Sequence, residues 1–421
     1  MPNQKNRTWI KMSAITIKLD RRIVLAIGLM SGTSHDGVSA AVVELDERSR
    51  PPARLIAFHT FPFHARFRKE LLAASADEKI GAAAISTLNF ALGREFGRAA
   101  IEIAGRTHLA LSDVAFIGSH GHTFFHLPPR RTARGQVAST MQLGESAVIA
   151  AATGVPVVAD FRTMDIVLGG EGAPLAPLAH LWLFADPTRG RVVQNIGGIG
   201  NATYIPPRAR LGDADLIAFD TGPGNMMLDA LASRISGGRL RMDRDGRIAA
   251  GGHVNEPLLA KLMRNPYFRR RPPKSTGREE FGTHLLDSIV ADARRMKIVD
   301  YDLVATLTAL TARSIADACR HFIFPRGPVE QLIVTGGGAQ NPTLMRMIAA
   351  ELPNLEVITA ADVGVDGSAL EAVAFAILGY QMLRGRQGNI PTITGARAPA
   401  VLGKLTLPPR PVKSEKVKSR V

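Results

Sequence analysis

Cysteine is almost absent from this chain. The single Cys319 among 421 residues excludes an intramolecular disulfide, no Cys/His set has zinc-finger spacing, and a reducing compartment fits best. Long hydrophobic runs are missing as well. No eighteen consecutive apolar residues occur, and the basic start lacks the apolar segment and small-residue cleavage site of a signal peptide. These absences predict a cytoplasmic protein that works on small molecules, with no membrane partner. Acidic charge is in short supply too, since 37 Asp and Glu face 52 Lys and Arg for a net charge of +15. The location of the excess matters more than its size. Residues 1–22 and 404–421 each hold six basic side chains against one acidic, so two thirds of the surplus sits in the tails. No RNA-binding aromatic signature accompanies them, which reads as solvated termini and excludes nucleic acid as an expected partner.

At 46% hydrophobic and 21% charged residues the composition is that of a globular protein, and 421 residues exceed what one core supports. The run Ile27 to Asp46, IGLMSGTSHDGVSAAVVELD, is the most informative stretch. It predicts a β-hairpin whose turn carries Gly32, Thr33, Ser34, Asp36 and Gly37, with Val38 to Leu45 as the returning strand. Glycines let backbone amides approach an anion, and Ser or Thr hydroxyls add donors. Gly32 and Gly37 stand where P-loop glycines would, but Val38 occupies the lysine position and a strand follows, which argues against a Walker NTPase. On local grounds a phosphate cradle and an ordinary glycine turn remain equally open.

The pattern then occurs a second time. After the hairpin come a strand near Arg54 to Phe61, a helical region from about Ile80 to Gly105, and strands in VAFIGSHGHT and VPVVAD. The second half repeats this with a hairpin in RVVQNIGGIGNATYIP, a third strand in LIAFDTGPGN, a long helical region, then strands in QLIVTGGGAQN and LEVITA. The expectation is an α/β fold of two duplicated lobes facing each other across a cleft. Residues 1–22 are read as a basic disordered extension, 23–160 plus about 370–404 as lobe I, 161–369 as lobe II, and 405–421 as a basic tail. The linker is expected in the Gly/Pro-rich stretch ATGVPVVADFRTMDIVLGGEGAPLAP.

Four segments offer chemistry. Asp220 is expected to end a buried strand, where it could accept a proton or hold a metal ion, or serve only as a turn or capping aspartate. Gly336 to Gly338 end another strand and leave bare backbone for a flat base or ribose, with Asn341 and Pro342 suited to starting a helix. His120, His122 and His126 lie close in sequence, yet no carboxylate or cysteine neighbours them, and hydrogen bonding to a polar ligand by His120 and Thr123 is the better reading. Arg269, Arg270, Arg271, Lys274 and Arg278 surround two prolines and suggest a mobile basic loop, either anion-binding or merely solvated.

Taken in order, GLMSGTSHDGV, GSHGHT, VADFR, GGEGAPLAP, NIGGIGN, FDTGPGN, KSTGRE, TGGGAQN, TGAR and LGK make a set that resembles the anhydro-N-acetylmuramic acid kinase family from Ile23 to Lys404. The resemblance implies two ribonuclease-H-like lobes of the actin and hexokinase type, with mixed sheets around a central ATP cleft. It implies ATP and Mg2+ as cofactors, an amino sugar as substrate, and a homodimer whose interface nothing in the sequence marks. The implied activity is phosphorylation of 1,6-anhydro-N-acetylmuramic acid with opening of its anhydro ring, in peptidoglycan recycling. By the same resemblance, Gly32, Thr33, Ser34, His35, Asp36, Gly37, Val38 and Ser39 bind ATP phosphates, and Gly197, Gly198, Gly222, Gly224, Asn225, Gly336, Gly337, Gly338 and Asn341 complete the nucleotide site. Asp220 is the implied catalytic base, Asp36 an implied metal contact through water, and His120, Thr123, Arg162 and Glu371 the substrate side.

The chain departs from the family pattern at His35, His122, Glu171, Thr163, Met164 and Gly282, where the family usually has Leu, Gln, Gln, a basic pair and Asn. None of these removes Asp220 or the hairpin; the lost basic pair beside Arg162 bears on the sugar contacts. Two other classes compete on the same outline: a phosphatase or ATP hydrolase that turns over ATP without sugar, and a non-catalytic nucleotide-dependent assembly protein in which Asp220 is dispensable.

Overall fold

The structure, a computed structural model, describes residues 23–32, 35–77 and 79–409. The basic extension 1–22, most of the tail 405–421, and the turn residues Thr33 and Ser34 therefore lie outside the described residues.

The chain builds two mixed sheets with the same strand plan. In the first, β1 (Val24–Ser31) pairs antiparallel with β2 (Gly37–Leu45), which pairs antiparallel with β3 (Ala53–Pro62). On its other edge β1 runs parallel to β4 (Phe116–Leu127), which runs parallel to β6 (Val157–Ala159) and antiparallel to β5 (Ser139–Leu143). In the second, β7 (Arg191–Ile196), β8 (Ile199–Ile205) and β9 (Ile217–Pro223) form the antiparallel meander, and β10 (Gln331–Thr335) and β11 (Glu356–Thr359) add in parallel on the far side of β7. The spatial orders β3-β2-β1-β4-β6 and β9-β8-β7-β10-β11 coincide position for position. This is the duplication that the repeated hairpin pattern predicted, with the ribonuclease-H-like strand plan that the family resemblance implied. A short strand near the C-terminus, β12 (Lys404–Thr406), closes the first sheet against β6.

Period-2 alternation explains why both faces of the first sheet are covered. Ile27 and Leu29 of β1 pack with Val38, Ala40 and Val42 of β2 under the helix Ala82–Arg106. Val24 and Ala26 point the other way, with Ala41 and Val43, into a core shared by both lobes. That core is built on the helices Ala176–Phe184 and Leu370–Leu383, and it also takes Val193, Ile205, Ala218 and Ile333 from the second sheet. The helix Leu370–Leu383, LEAVAFAILGYQML, is apolar nearly all round because it is buried between layers. It lies directly on the sheet backbone at Gly28 and Gly118, which face each other across β1 and β4. A Cβ at Gly28 would stand 1.8 Å from the Ala372 carbonyl oxygen, and one at Gly118 2.0 Å from that of Phe375. Only glycine permits this approach.

The stretch expected as a linker is packed structure. It contains β6 and a short helix, Thr163–Val167, and its Asp165 is fully buried, accepting hydrogen bonds from Asn389 Nδ2 (2.8 Å), Thr394 Oγ1 (2.7 Å) and the Gly172 amide (2.8 Å). Its prolines and glycines serve tight turns around this carboxylate.

Candidate active site

The first hairpin turn is fastened from outside by the helix Ala65–Ala76. Arg68 forms an ion pair with Asp36 at 2.7 Å and donates through Nε to the His35 carbonyl at 3.0 Å, while the Phe63 amide bonds the Asp36 carbonyl at 3.0 Å. His35 takes a left-handed conformation (φ 55°) and its amide returns to the Gly32 carbonyl at 3.2 Å, which tightens the loop. Packing against β3 requires glycine at position 37: a Cβ on Gly37 would lie 2.2 Å from the Phe61 carbonyl oxygen. Val38 is buried in the core, and the Ser39 hydroxyl shares a hydrogen bond with Thr60 Oγ1 at 3.0 Å. Those two side chains thus belong to the sheet, and Gly32, His35 and Asp36 are the described residues that shape the turn.

In the second lobe the FDTGPGN loop rests on the hairpin turn, with the amides of Gly224 and Asn225 bonded to the carbonyls of Gly198 (3.0 Å) and Gly197 (2.7 Å). A Cβ at Gly224 would come within 2.3 Å of the Gly197 oxygen, so the two loops meet backbone to backbone. Gly197, Gly198, Asn225, Gly337 and Asn341 come together around a pocket of about 640 Å³, which also takes Asp229 and Arg244. Burial pushes the Asp229 carboxyl up to about 6. Beyond Gly337 and Gln340 a second pocket of about 720 Å³ includes Gly336, Thr359, Asp366 and Ser368. Several residues assigned to this site also make packing or capping contacts. Gly338 is packed on Ile196, Gly222 lies against the Phe268 ring, and the Asn341 side chain caps the helix Pro342–Glu351 by accepting the Leu344 amide at 2.9 Å.

Asp220 does not end its strand. It sits in the middle of β9, opposite Asn201 of β8, because pairing continues through Gly222 and Pro223. Three contacts from one loop hold it: the Thr276 amide donates to Oδ2 (2.9 Å), the Tyr267 hydroxyl donates to its carbonyl (2.7 Å), and its own amide donates to the Lys274 carbonyl (3.1 Å). Burial pushes its carboxyl up to about 6, against the lowering effect of the Thr276 amide and the Lys274 charge. Asp220 lines a pocket of about 240 Å³ with His126, Arg130, Glu171 and Lys274.

The segment expected as a mobile basic loop is ordered around Asp220. Lys274 is 7% exposed, and burial brings its ammonium down to about 8. The turn Pro129–Arg131 of the first lobe reaches this loop: Arg130 Nη1 donates to the Pro273 carbonyl at 3.5 Å, and its Nε stands 3.4 Å from Glu171. Sequence reading missed Arg130, Thr276 and Arg68, because their partners lie elsewhere in the chain: Glu171 and Pro273 for Arg130, Asp220 for Thr276, and Asp36 and His35 for Arg68.

His120, Arg162 and Glu371 are brought together. Arg162 donates through Nε to His120 Nε2 (2.8 Å) and through Nη1 to the Gly172 carbonyl (2.7 Å). Because a guanidinium can only donate, His120 carries its proton on Nδ1 and gives it to the Gly121 carbonyl at 3.0 Å. Burial, with the Arg162 charge added, holds His120 well below the ordinary imidazole range, so the ring is neutral; it stacks on Phe375 with centroids 4.4 Å apart. Burial lowers Arg162 to about 10, opposed by Glu371 and Asp165. Glu371 opens to solvent yet is walled by protein on its other sides, which raises its carboxyl, while Arg162 pulls it back. Thr123 accepts a long hydrogen bond from Gln142 Nε2 at 3.5 Å.

The three histidines part company because Gly121 turns the strand with φ 77°. His122 Nδ1 meets Ser31 Oγ at 3.1 Å, its ring stands edge-on to His35 at 4.7 Å, and its buried Nε2 has no hydrogen-bond partner. Burial takes it down to about 4. His126 Nδ1 meets Thr140 Oγ1 at 3.0 Å. Among the described residues no three His, Cys, Asp or Glu side chains are grouped to hold a metal, and no helix is long and apolar enough to cross a membrane.

The sequence model of the family described as anhydro-N-acetylmuramic acid kinase matches residues 24–408. The chain is 43% identical over 385 residues to the anhydro-N-acetylmuramic acid kinase of Caldanaerobacter subterraneus subsp. tengcongensis, covering 91% of this chain and 97% of that protein. It is 40% identical to the protein of the same name from Clostridioides difficile, covering 92% and 98%. Among solved structures, the activator of 2-hydroxyisocaproyl-CoA dehydratase from Clostridium difficile with bound ADPNP aligns at 13% identity and a TM-score of 0.42, covering 86% of this chain and 96% of that one. A ROK family glucokinase from Streptomyces griseus aligns at 14% identity and a TM-score of 0.36, covering 85% and 99%.

Proposed function

The chain belongs to the anhydro-N-acetylmuramic acid kinase family, and from that premise we propose that it transfers the γ-phosphoryl group of ATP to 1,6-anhydro-N-acetylmuramic acid while opening the anhydro ring. The products are N-acetylmuramic acid 6-phosphate and ADP, a step of peptidoglycan recycling in the cytoplasm. The observation that carries the reading is Asp220: a half-buried carboxylate, fixed by a backbone amide, at a sugar-sized pocket of about 240 Å³ between the lobes.

In the substrate the C6 oxygen is tied to C1 and offers no hydroxyl to phosphorylate. Asp220 takes a proton from a water whose oxygen attacks C1. The C1–O6 bond breaks, O6 bonds to the γ-phosphorus, and the bond from that phosphorus to the β,γ-bridging oxygen breaks to release ADP. General-base assistance of this kind contributes about 10² to 10⁴ in rate. Arg162, held by neutral His120 and facing Glu371, orients the sugar; the Gly197–Gly198 turn, Asn225 and the Gly337 loop would receive the nucleotide, and the first hairpin turn, at Gly32, His35 and Asp36, would bind its phosphates. Mg2+ suits this site as an ion carried mainly by phosphate and water, since Asp36 is the one carboxylate at the first turn. It would neutralise charge on the transferring group, where most phosphoryl-transfer catalysis lies. Contact between the Pro129–Arg131 turn and the Pro273 loop supports closure over the sugar, which keeps bulk water from ATP.

The test is incubation with ATP, magnesium and the anhydro sugar, followed by mass spectrometry. The expected product gains a phosphoryl group and the elements of water. Gain of phosphate alone refutes coupled opening, and steady ATP turnover without sugar favours a hydrolase.

A further inference from the structure

The loop Tyr267 to Thr276 carries a cation that the mechanism above leaves unused. Lys274 Nζ stands 4.7 Å from the ring centre of Tyr267, 4.8 Å from that of Phe322 and 5.7 Å from that of Phe219, and it donates to the carbonyls of Tyr267 and Phe268 at 3.4 Å each. Such a cage keeps a buried ammonium charged, because the negative ring faces and carbonyl dipoles replace its water. The cage is joined to Asp220 covalently on one side and by hydrogen bonds on the other. Phe219 precedes Asp220 on β9, the Tyr267 hydroxyl bonds the Asp220 carbonyl, and the Lys274 carbonyl accepts the Asp220 amide.

Resting on the reading of Asp220 as the base, we propose that Lys274 is a positioning residue: its caged charge anchors the loop that delivers the Thr276 amide to Asp220 and keeps that carboxylate ionised near neutral pH. The other charged or titratable groups around Asp220 are Glu279 and Tyr267 from the same segment, His126, Arg130 and Arg131 from the first lobe, and Glu171. Of these Glu279 pushes the Asp220 carboxyl up, whereas Lys274 and the Thr276 amide pull it down, with burial as the larger upward effect. Removing the ammonium therefore moves the carboxyl upward.

Lys274→Met keeps the length of the side chain and the apolar packing while deleting the charge, and Lys274→Arg keeps the charge. Activity is followed as sugar-dependent ADP release from pH 5 to 8, with thermal melting and ATP binding as controls. In the Met variant the acid limb of kcat/KM is expected about one pH unit higher, so that activity is about fivefold lower at pH 6 and within about twofold at pH 8, with the KM for ATP unchanged. The Arg variant is expected to keep the limb in its wild-type place. An unmoved limb in a folded Met variant overturns the proposal, and so does a displaced limb in the Arg variant, which stands as the test where the Met variant does not fold. Absence of sugar-dependent turnover in the wild-type protein would refute the kinase reading, a result separable from failure of the Lys274 role.

Discussion

Activity should fail in acid at a pH set by Asp220. Its carboxyl lies at about 6 rather than at the ordinary 3.8, because burial costs the ionised form more than the Thr276 amide and Lys274 restore. A general base works only when deprotonated. With a midpoint near 6, about nine tenths of the molecules carry the carboxylate at pH 7, half at pH 6 and roughly one tenth at pH 5. The kcat/KM for the anhydro sugar should therefore fall about tenfold between pH 7 and pH 5, where an unperturbed aspartate would lose less than about a tenth of its activity. The assay is sugar-dependent ADP release across that range, with circular dichroism at each pH to show that the protein is still folded. Asp220→Asn preserves the size of the side chain and its acceptor for the Thr276 amide but cannot take a proton. It should lower kcat by about 10² to 10⁴ and leave ATP affinity unchanged. An acid limb below about pH 4.5 in folded enzyme, or an Asn variant with near-normal kcat, would refute the reasoning.

Other consequences follow from packing and charge. Gly118→Ala places a Cβ 2.0 Å from the Phe375 carbonyl and forces the helix Leu370–Leu383 off the sheet, a loss of about 1–3 kcal/mol or more readable as a lower melting temperature. Gly105→Ala, with open space around it in a helix, is the control and should be neutral or slightly stabilising; equal losses in both would contradict the close-contact argument. His180 is 4% exposed and burial lowers it from 6.5 to about 4, so its contribution to stability is full above pH 6.5 and is lost as pH falls toward 4. That one group should cost about 2 kcal/mol by pH 5, and His180→Asn should flatten the fall in denaturant midpoint between pH 7 and 5. Arg162→Lys cannot bond His120 and Gly172 together as a fork does, so the KM for sugar should rise about tenfold or more while ATP binding, measured by calorimetry, stays put.

What could be read from the sequence was local. Both hairpins, the duplication and the cap at Asn341 follow from period-2 runs broken by glycine and from a residue type at a helix start. What could not be read depends on partners far away in the chain. Asp220 looked like a strand end because glycines follow it, yet β8 offers Gly200 and Ile199 to pair with Gly222 and Pro223, and the ladder runs on. The three histidines lie close in sequence, but the left-handed Gly121 sends His120 toward Arg162 and His122 toward Ser31. The basic residues after Tyr267 show the limit most sharply, because their sequence neighbours are alike and their surroundings are not. Lys274 is enclosed by rings from β9 and from the turn after the helix Asp300–Ala318, whereas Arg270 meets Glu280 at the surface. Charge removal at Arg270 therefore takes away an exposed pair worth under about 1 kcal/mol, while the same change at Lys274 alters the field at the carboxylate proposed to activate water.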